Sequence, residues 1–216
     1  MVFWFMNLAN LLIRNKILEE VQSSVNGKLT VVKDLTWGTY IKAGGLTQSG
    51  GILTAVWKET LSKVPKEKGN ISNCLILGLG GGSLASLILK SYPNTKITGV
   101  DIDPLIVGLG IKYLDLKEDK IQIKITDAYK FKSIDKFDLI CIDLYLGDKY
   151  PEKFEDLKFL KRVKGMRSPN GIAIFNRLYG PDNRLNSIKF GKKLEKIFAH
   201  VDYIFPQANL MLLCYN

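Results

Sequence analysis

A glycine-rich turn between a predicted strand and a predicted helix constrains this chain more than any other feature. Residues 74–78 form an apolar run typical of a short buried strand, and the apolar spacing of residues 84–90 predicts a helix. The turn between them carries four glycines, Gly78, Gly80, Gly81 and Gly82. Glycine accepts positive φ and has no Cβ to hold a ligand away from the backbone, and the free N–H groups at the start of a helix face such a turn. The order strand, glycine-rich turn, helix is typical of a nucleotide-binding unit, although a tight turn that binds no ligand has the same pattern.

Strands and helices alternate downstream of the turn. Apolar runs predict strands at 96–100, 121–125, 137–142 and 171–176. Helical spacing predicts helices at 104–114, 154–163 and 184–198, with a short turn or helix at 128–131. Two apolar extended runs, 201–205 and 210–215, close the chain. The alternation predicts an α/β fold with a Rossmann-like, doubly wound sheet that is mostly parallel and has an antiparallel edge.

The N-terminal part has a different pattern. Extended runs separated by turn residues, among them Asn26-Gly27, predict a small antiparallel β-sheet with strands at 17–22, 28–33 and 37–42. The polar, glycine-rich segment 44–51 predicts a loop, and helical spacing from Leu53 to Val64 predicts a helix that Pro65 ends. We therefore divide the chain into an apolar segment (1–16), a small β domain plus helix (17–65) and a nucleoside-binding domain (66–216).

Composition narrows the classes of partner. The 216 residues are 46% hydrophobic, enough for a sizeable core, and carry a net charge of +10. The lysines are scattered and no basic run reaches five residues, so we expect a lysine-rich surface and no nucleic-acid partner. Cys74, Cys141 and Cys214 each lie in an apolar run, which indicates buried thiols rather than disulfides. With His200 as the only histidine and no paired cysteines, we expect no metal site.

The first 13 residues are strongly apolar but too short to span a bilayer. They lack the basic leading region and the cleavage site of a signal peptide. We expect them to pack on the domain or to mediate self-association, a homodimer being one form of it, rather than to insert stably into a membrane. Contact with a membrane surface is the other interpretation, and a cytoplasmic location is expected.

Acidic residues follow three of the predicted strands, where ligands sit in open α/β sheets. Asp101 comes 23 residues after Gly78, near the spacing of about 20 at which an acid binds ribose hydroxyls. Asp103 precedes a proline, and this pair predicts a helix N-cap. Asp127 either accepts from an adenine amino group or caps the next turn, and the sequence favours neither.

The fourth strand of the nucleoside-binding domain ends in the most promising acid for catalysis. Asp143 directly follows an apolar run, so it is expected at the mouth of the cleft, where burial raises a carboxyl pKa unless a cation offsets it. A sulfonium donor or an amine acceptor would supply that cation. We predict Asp143 as the catalytic carboxylate, with Tyr145 beside it in the cleft. The alternative is an acid that only orders its own loop.

Together these features resemble the spermidine synthase family, polyamine aminopropyltransferases with a Rossmann-like methyltransferase fold, from about residue 20 to the C-terminus. The resemblance implies decarboxylated S-adenosylmethionine, or S-adenosylmethionine itself, as the cofactor and a small-molecule amine or other small acceptor as the second substrate. It implies Asp143 as the catalytic aspartate. The implied cofactor contacts are Gln48 in the preceding loop, Gly78 to Gly82 in the glycine turn, the pair Asp101 and Ile102, and the pair Asp127 and Ala128.

Several positions depart from the family pattern. Gly81 occupies the register of an aspartate in the glycine turn, and Trp57-Lys58 replaces a Tyr-His pair. Leu146 stands where the family has a second active-site aspartate, and residues 205–209 do not match the family's late aromatic loop. The residues that the resemblance assigns to the nucleoside are therefore retained, whereas those that it assigns to the diamine are replaced, as in a divergent branch of the family.

Three functions are compatible with this pattern. The resemblance favours transfer of an aminopropyl group to an amine acceptor, as in polyamine biosynthesis. The missing diamine residues favour methyl transfer from S-adenosylmethionine to an unknown acceptor. The third hypothesis is a relative that binds nucleoside without turnover.

Overall fold

A small antiparallel sheet precedes the main domain. The computed structural model describes residues 15–65 and 70–216, so residues 1–13 and the interpretations that concern them lie outside the described residues. The sheet has the strand order β1-β2-β3-β4. Its strands are β1 (Lys16–Ser23), β2 (Gly27–Asp34), β3 (Gly38–Ala43) and β4 (Leu46–Gly50). The first three strands confirm the predicted hairpin pattern.

The fourth strand corrects the prediction of a loop over residues 44–51. Gly44 and Gly45 both have positive φ, 56° and 85°, and form a tight turn after β3. The residues after this turn then pair with β3, with Ser49 opposite Ile41. The prediction was wrong because the polar composition of the segment masked a strand whose glycines lie at its two ends.

The main sheet has seven strands in the order β10-β11-β9-β8-β5-β6-β7. The five strands from β9 to β7 are parallel, and β11 pairs antiparallel with both β9 and β10. The strands are β5 (Asn73–Leu77), β6 (Lys96–Asp101), β7 (Ile121–Ile125), β8 (Phe137–Ile142), β9 (Arg167–Leu178), β10 (His200–Ile204) and β11 (Asn209–Tyr215). The predicted doubly wound sheet with an antiparallel edge is confirmed.

Helices cover the sheets. They are α1 (Gly51–Ser62), α2 (Ser83–Ser91), α3 (Pro104–Tyr113), α4 (Leu157–Met166) and α5 (Arg184–Leu194), with 3₁₀ turns at Glu118–Lys120 and Glu152–Glu155. The predicted helix 154–163 is in fact a 3₁₀ turn followed by α4, because Asp156 is extended and caps α4 by accepting from the Phe159 N–H at 2.6 Å. Helix α5 ends at Leu194, four residues before the predicted end.

No helix in the two described ranges is long and apolar enough to cross a membrane.

The core lies on both faces of the main sheet. Alternate residues of β5 point to opposite faces: Cys74 and Ile76 pack with the small sheet and α1 to α3, whereas Leu75 and Leu77 pack with α4 and α5. The three cysteines are free and buried, as predicted.

Asp103 joins the two sheets. Its Oδ1 accepts from the Leu105 N–H at 3.0 Å and caps α3, which confirms the predicted N-cap. Its Oδ2 accepts from Ser23 Oγ at 2.5 Å and from Asn26 Nδ2 at 2.7 Å, both in the first hairpin of the small sheet. This buried carboxylate therefore fixes the small sheet over the carboxyl ends of the parallel strands.

Candidate active site

A cavity of about 220 Å³ lies between the carboxyl ends of the parallel strands and the cover formed by β4 and α1. The residues at this sheet edge follow the strand order. They are Asn176 near the carboxyl end of β9, Asp143 after β8, Gly78 after β5, Asp101 at the end of β6 and Asp127 after β7. Since neighbouring strands are about 4.8 Å apart, Asp143 and Asp101 are separated by roughly 10 Å along the edge.

We name two parts of this cavity. The β5–β7 side is lined by Gly78, Gly80, Asp101, Ile102, Asp127 and Ala128. The β8–β9 side is lined by Asp143, Tyr145, Leu146, Asn176 and Asn209. Gln48 lines the cover, and its Nε2 donates to the Gly147 carbonyl at 2.7 Å, which ties β4 to the loop after β8.

The glycine turn brings two of its four glycines to the cavity. Gly78 has φ 89°, and a Cβ there would lie 2.0 Å from the backbone oxygen of Asp143. Gly80 donates its N–H to Asp101 Oδ2 at 2.7 Å. Gly81 and Gly82 are not part of the cavity lining. A Cβ on either would collide with apolar side chains, those of Ile41 and Leu114 or that of Leu116, so these glycines serve close packing.

Asp101 is held by backbone donors. Besides the Gly80 N–H, it accepts the Asp103 N–H on Oδ1 at 2.9 Å. Burial raises the pKa of Asp101 to about 6, and the nearby Asp103 charge adds to the rise, while the backbone N–H groups oppose it. Asp101 also lines the cavity, where its carboxylate can meet a ligand.

Asp127 both caps its turn and meets a cation. It accepts the Tyr129 N–H at 2.8 Å and the Lys153 ammonium at 2.7 Å. Burial alone would raise the pKa of Asp127, but these two hydrogen bonds and the charge of Lys153 hold it below its usual value. Lys153 also lines the cavity and was not singled out from the sequence.

Asp143 is partly buried and accepts hydrogen bonds from neutral groups. Trp57 Nε1–H donates to Oδ2 at 3.0 Å, and Asn176 Nδ2 donates to Oδ1 at 2.9 Å. Burial raises the pKa of Asp143, and the two hydrogen bonds oppose the rise. Within residues 15–65 and 70–216, no lysine, arginine or histidine forms an ion pair with it.

Two asparagines orient this carboxylate. Asn209 Nδ2 donates to Asn176 Oδ1 at 2.7 Å, which fixes the Asn176 amide with its N–H directed at Asp143. Tyr145 lies beside them, and its hydroxyl accepts the Leu178 N–H at 2.7 Å. Trp57, Asn176 and Asn209 were not predicted as site residues. The available signal was a polar residue next to an apolar strand run, which Asn176 and Asn209 both show.

This fold is shared with a solved structure of a known protein. The solved structure of a spermidine synthase in complex with the transition-state analogue AdoDATO superposes with a TM-score of 0.73 at 18% identity, over 92% of this chain and 72% of that one. This likeness places the chain among the methyltransferase-like α/β folds. The spermine/spermidine synthase domain matches residues 54–207, so the chain belongs to that family, as the resemblance predicted.

Two curated relatives point to different reactions. A probable polyamine aminopropyl transferase of Bifidobacterium longum is 32% identical over 126 residues, 57% of this chain and 28% of the relative. An eEF1A lysine and N-terminal methyltransferase homolog of Drosophila melanogaster is 28% identical over 169 residues, 72% of this chain and 25% of the relative. The chain thus spans about a quarter of the length of either relative.

Proposed function

We propose that this chain is a transferase that binds an adenosyl sulfonium along the β5–β7 side and transfers its alkyl group to an amine at Asp143. The observation that carries the proposal is the environment of Asp143. Asp143 lines the cavity and is partly buried, and within the described residues its hydrogen-bond donors, Trp57 and Asn176, are both neutral. A cation from the ligand would offset the cost of burying this charge.

The donors around Asp143 favour its ionised form. An indole N–H and an amide N–H can only donate, so a proton on Asp143 has no acceptor in Trp57 Nε1 or Asn176 Nδ2. The open lone pairs therefore face the cavity, where they can accept a hydrogen bond from an amine. This geometry suits a general base more than an acid that only orders its own loop.

The order of residues along the sheet edge supports the placement of the nucleoside. We assign Asp101 to the ribose hydroxyls, since it ends β6 at the cavity and its carboxylate can accept hydrogen bonds from them. We assign Asp127 and Ala128 to the adenine, between the apolar side chains of Ile102 and Phe154. Lys153 then has to exchange its contact with Asp127 for the adenine amino group or share that carboxylate with it.

The proposed reaction needs little covalent chemistry from the protein itself. A bound sulfonium supplies an activated carbon and leaves as a neutral thioether. Asp143 holds the amine with its lone pair directed at that carbon and accepts the proton that the nitrogen loses when the new C–N bond forms. Trp57 and Asn176 keep the carboxylate in position for this step.

The first form of the proposal is transfer of an aminopropyl group from decarboxylated S-adenosylmethionine, in line with the family. Methyl transfer from S-adenosylmethionine is the second candidate, and Gly81 favours it. The resemblance places an aspartate of the glycine turn in this register, but a Cβ here would lie 2.8 Å from Ile41 Cδ1 and Leu114 Cδ1. Both atoms are ends of side chains that can shift, but Gly81 itself offers no carboxylate, so the turn lacks that contact to a cofactor amine.

Incubation of the purified chain with each donor and a mixture of amines tests the proposal, with products identified by mass spectrometry. Formation of methylthioadenosine with an aminopropylated amine supports the first form, and S-adenosylhomocysteine with a methylated amine supports the second. If neither donor reacts although both bind, the chain is a nucleoside-binding relative without turnover.

A further inference from the structure

The charges on the cavity wall are distributed unevenly. Of the described residues that line the cavity, four are charged: Asp101, Asp127, Lys153 and Asp143. Asp101 and Asp127 lie on the β5–β7 side, and Lys153 pairs with Asp127. Asp143 is the single charged group on the β8–β9 side within the described chain.

The remainder of the wall around Asp143 is neutral and mostly apolar. Aliphatic side chains from β4, α1 and the loop after β8 form it, namely Leu46, Ile52, Leu53, Val56, Leu144 and Leu146. On the β8–β9 side as defined above, the three uncharged polar side chains contact protein groups: Asn209 donates to Asn176, Asn176 donates to Asp143, and the Tyr145 hydroxyl accepts the Leu178 N–H.

These surroundings match a particular type of acceptor. One amino group can meet Asp143, and the methylene groups behind it can contact the aliphatic wall. A second ammonium group on the same short chain would lie against this wall with no carboxylate partner, and burial of an unpaired charge is strongly unfavourable. Leu146, which is 38% exposed, lines the cavity and stands in the register where the resemblance implies a second aspartate.

We propose that the acceptor is a primary amine with a single amino group on an uncharged aliphatic chain, and not a diamine. This inference rests on the proposed function, since it names the acceptor class of that reaction. A free alkylamine and a lysine side chain share this chemistry.

Acceptor pairs of equal carbon number test the inference on the wild-type chain. We expect kcat/KM for n-butylamine and n-pentylamine to exceed that for putrescine and cadaverine at least about tenfold, because the second charge is unpaired. An Nα-acetyl-lysine amide is a third type of acceptor, and a higher kcat/KM for it than for the alkylamines identifies a lysine side chain as the natural acceptor.

Equal or higher kcat/KM for the diamines overturns the inference while leaving the proposed function intact. No product with any amine, although the donor binds by calorimetry, overturns the proposed function and the inference with it.

Leu146→Asp provides the converse test. The added carboxylate should raise the kcat/KM ratio of diamine to monoamine at least about tenfold, whereas Leu146→Asn, which adds polarity without charge, should not. Leu185→Asp is the matched control, since Leu185 is 73% exposed and does not line the cavity. An active Leu146→Asp variant with an unchanged ratio would contradict the inference.

Discussion

The two sides of the cavity are built in different ways. The β5–β7 side relies mainly on main-chain donors: the Gly80 N–H and the Asp103 N–H hold Asp101, and the Tyr129 N–H holds Asp127, which also accepts from the Lys153 side chain. The β8–β9 side uses side chains that are far apart in sequence. Its Asp143 is held by Trp57 from α1 and Asn176 from β9.

This difference explains how the family can keep one half of the site and change the other. Carboxylates that are held by main-chain N–H groups depend on the conformation of the turn, so a side-chain substitution elsewhere leaves their hydrogen bonds intact. The β8–β9 side depends on individual side chains, and replacing Trp57, Leu146 or Asn176 changes its polarity without altering the sheet. In the proposed function, the binding of the donor therefore depends on the fold, whereas the choice of acceptor depends on a few side chains.

Asp143→Asn should have the largest effect. The amide cannot accept the amine proton, and its own N–H group faces a donor, either Trp57 Nε1 or Asn176 Nδ2. We expect turnover to fall about 10²- to 10⁴-fold, measured as donor consumption. Asp148→Asn is the control, because Asp148 is an exposed acid on the same loop and does not line the cavity. Equal turnover in the two variants would show that Asp143 is not the base.

Gly78→Ala should reveal how strongly the β5–β7 side depends on backbone geometry. The position has φ 89°, and the new Cβ would overlap the Asp143 carbonyl oxygen, so we expect a loss of at least about 3 kcal/mol in the free energy of unfolding. Urea denaturation measures it. Gly108→Ala in α3 has nothing within 4 Å of the new Cβ and should stabilise the fold by about 0.5–1 kcal/mol. Similar stabilities of the two variants would refute this account of the turn.

Asp101→Asn should alter the pH dependence of nucleoside binding. The wild-type pKa is raised to about 6, so the ribose-binding carboxylate form is lost as the pH falls through this value. Affinity should then weaken by up to about tenfold per pH unit below 6. Asp101→Asn should flatten this dependence and weaken binding about tenfold at pH 7.5.

Methylthioadenosine is the ligand to use for this titration, because it has no positive charge for Asp143 to bind. Asp115→Asn, at an exposed acid, serves as the control. A dependence below pH 6 that persists in Asp101→Asn would assign the titration to another group.

The same raised pKa makes a separate contribution to stability. The folded state binds the Asp101 proton more tightly than the unfolded chain, whose carboxyl has a pKa near 3.8. This contribution is therefore present at low pH and is lost as the pH rises from about 4 to about 6. Asp101→Asn should remove it, which urea denaturation across this pH range can follow.

Trp57→Phe should have the smallest effect on rate. It keeps an aromatic ring against the core but removes the N–H group that stabilises the charged form of Asp143. The pKa of Asp143 should rise further, so the acidic limb of the kcat/KM profile moves to higher pH and the rate at neutral pH falls several-fold. Trp37→Phe, at a Trp that is 45% exposed, is the control. An unchanged pH profile would assign Trp57 to packing alone.

The fold and half of the site could be predicted from sequence because their signals are local. The glycine turn and the acids that follow successive strands, Asp101, Asp127 and Asp143, all meet at one edge because parallel strands align their carboxyl ends. The strand β4 was missed because a short polar strand with glycines at its ends has the composition of a loop.

The other half could not be predicted because it depends on contacts across the fold. Trp57 meets Asp143 only because α1 lies over the end of β8, and Asn209 meets Asn176 only through the β9–β11 register. Nor does sequence tell which glycine of the turn faces the ligand: Gly80 lines the cavity, whereas Gly81 packs against Ile41 and Leu114.

Calorimetric titration with S-adenosylmethionine, its decarboxylated form and methylthioadenosine tests the central claim most directly. We predict saturable binding at one site per chain, with at least one of the two sulfonium compounds binding more tightly than the neutral thioether. The reason is that no cationic side chain in the described parts of the chain forms an ion pair with Asp143. Tighter binding of decarboxylated S-adenosylmethionine favours aminopropyl transfer, and tighter binding of S-adenosylmethionine favours methyl transfer. Absence of saturable binding for all three ligands would contradict the account.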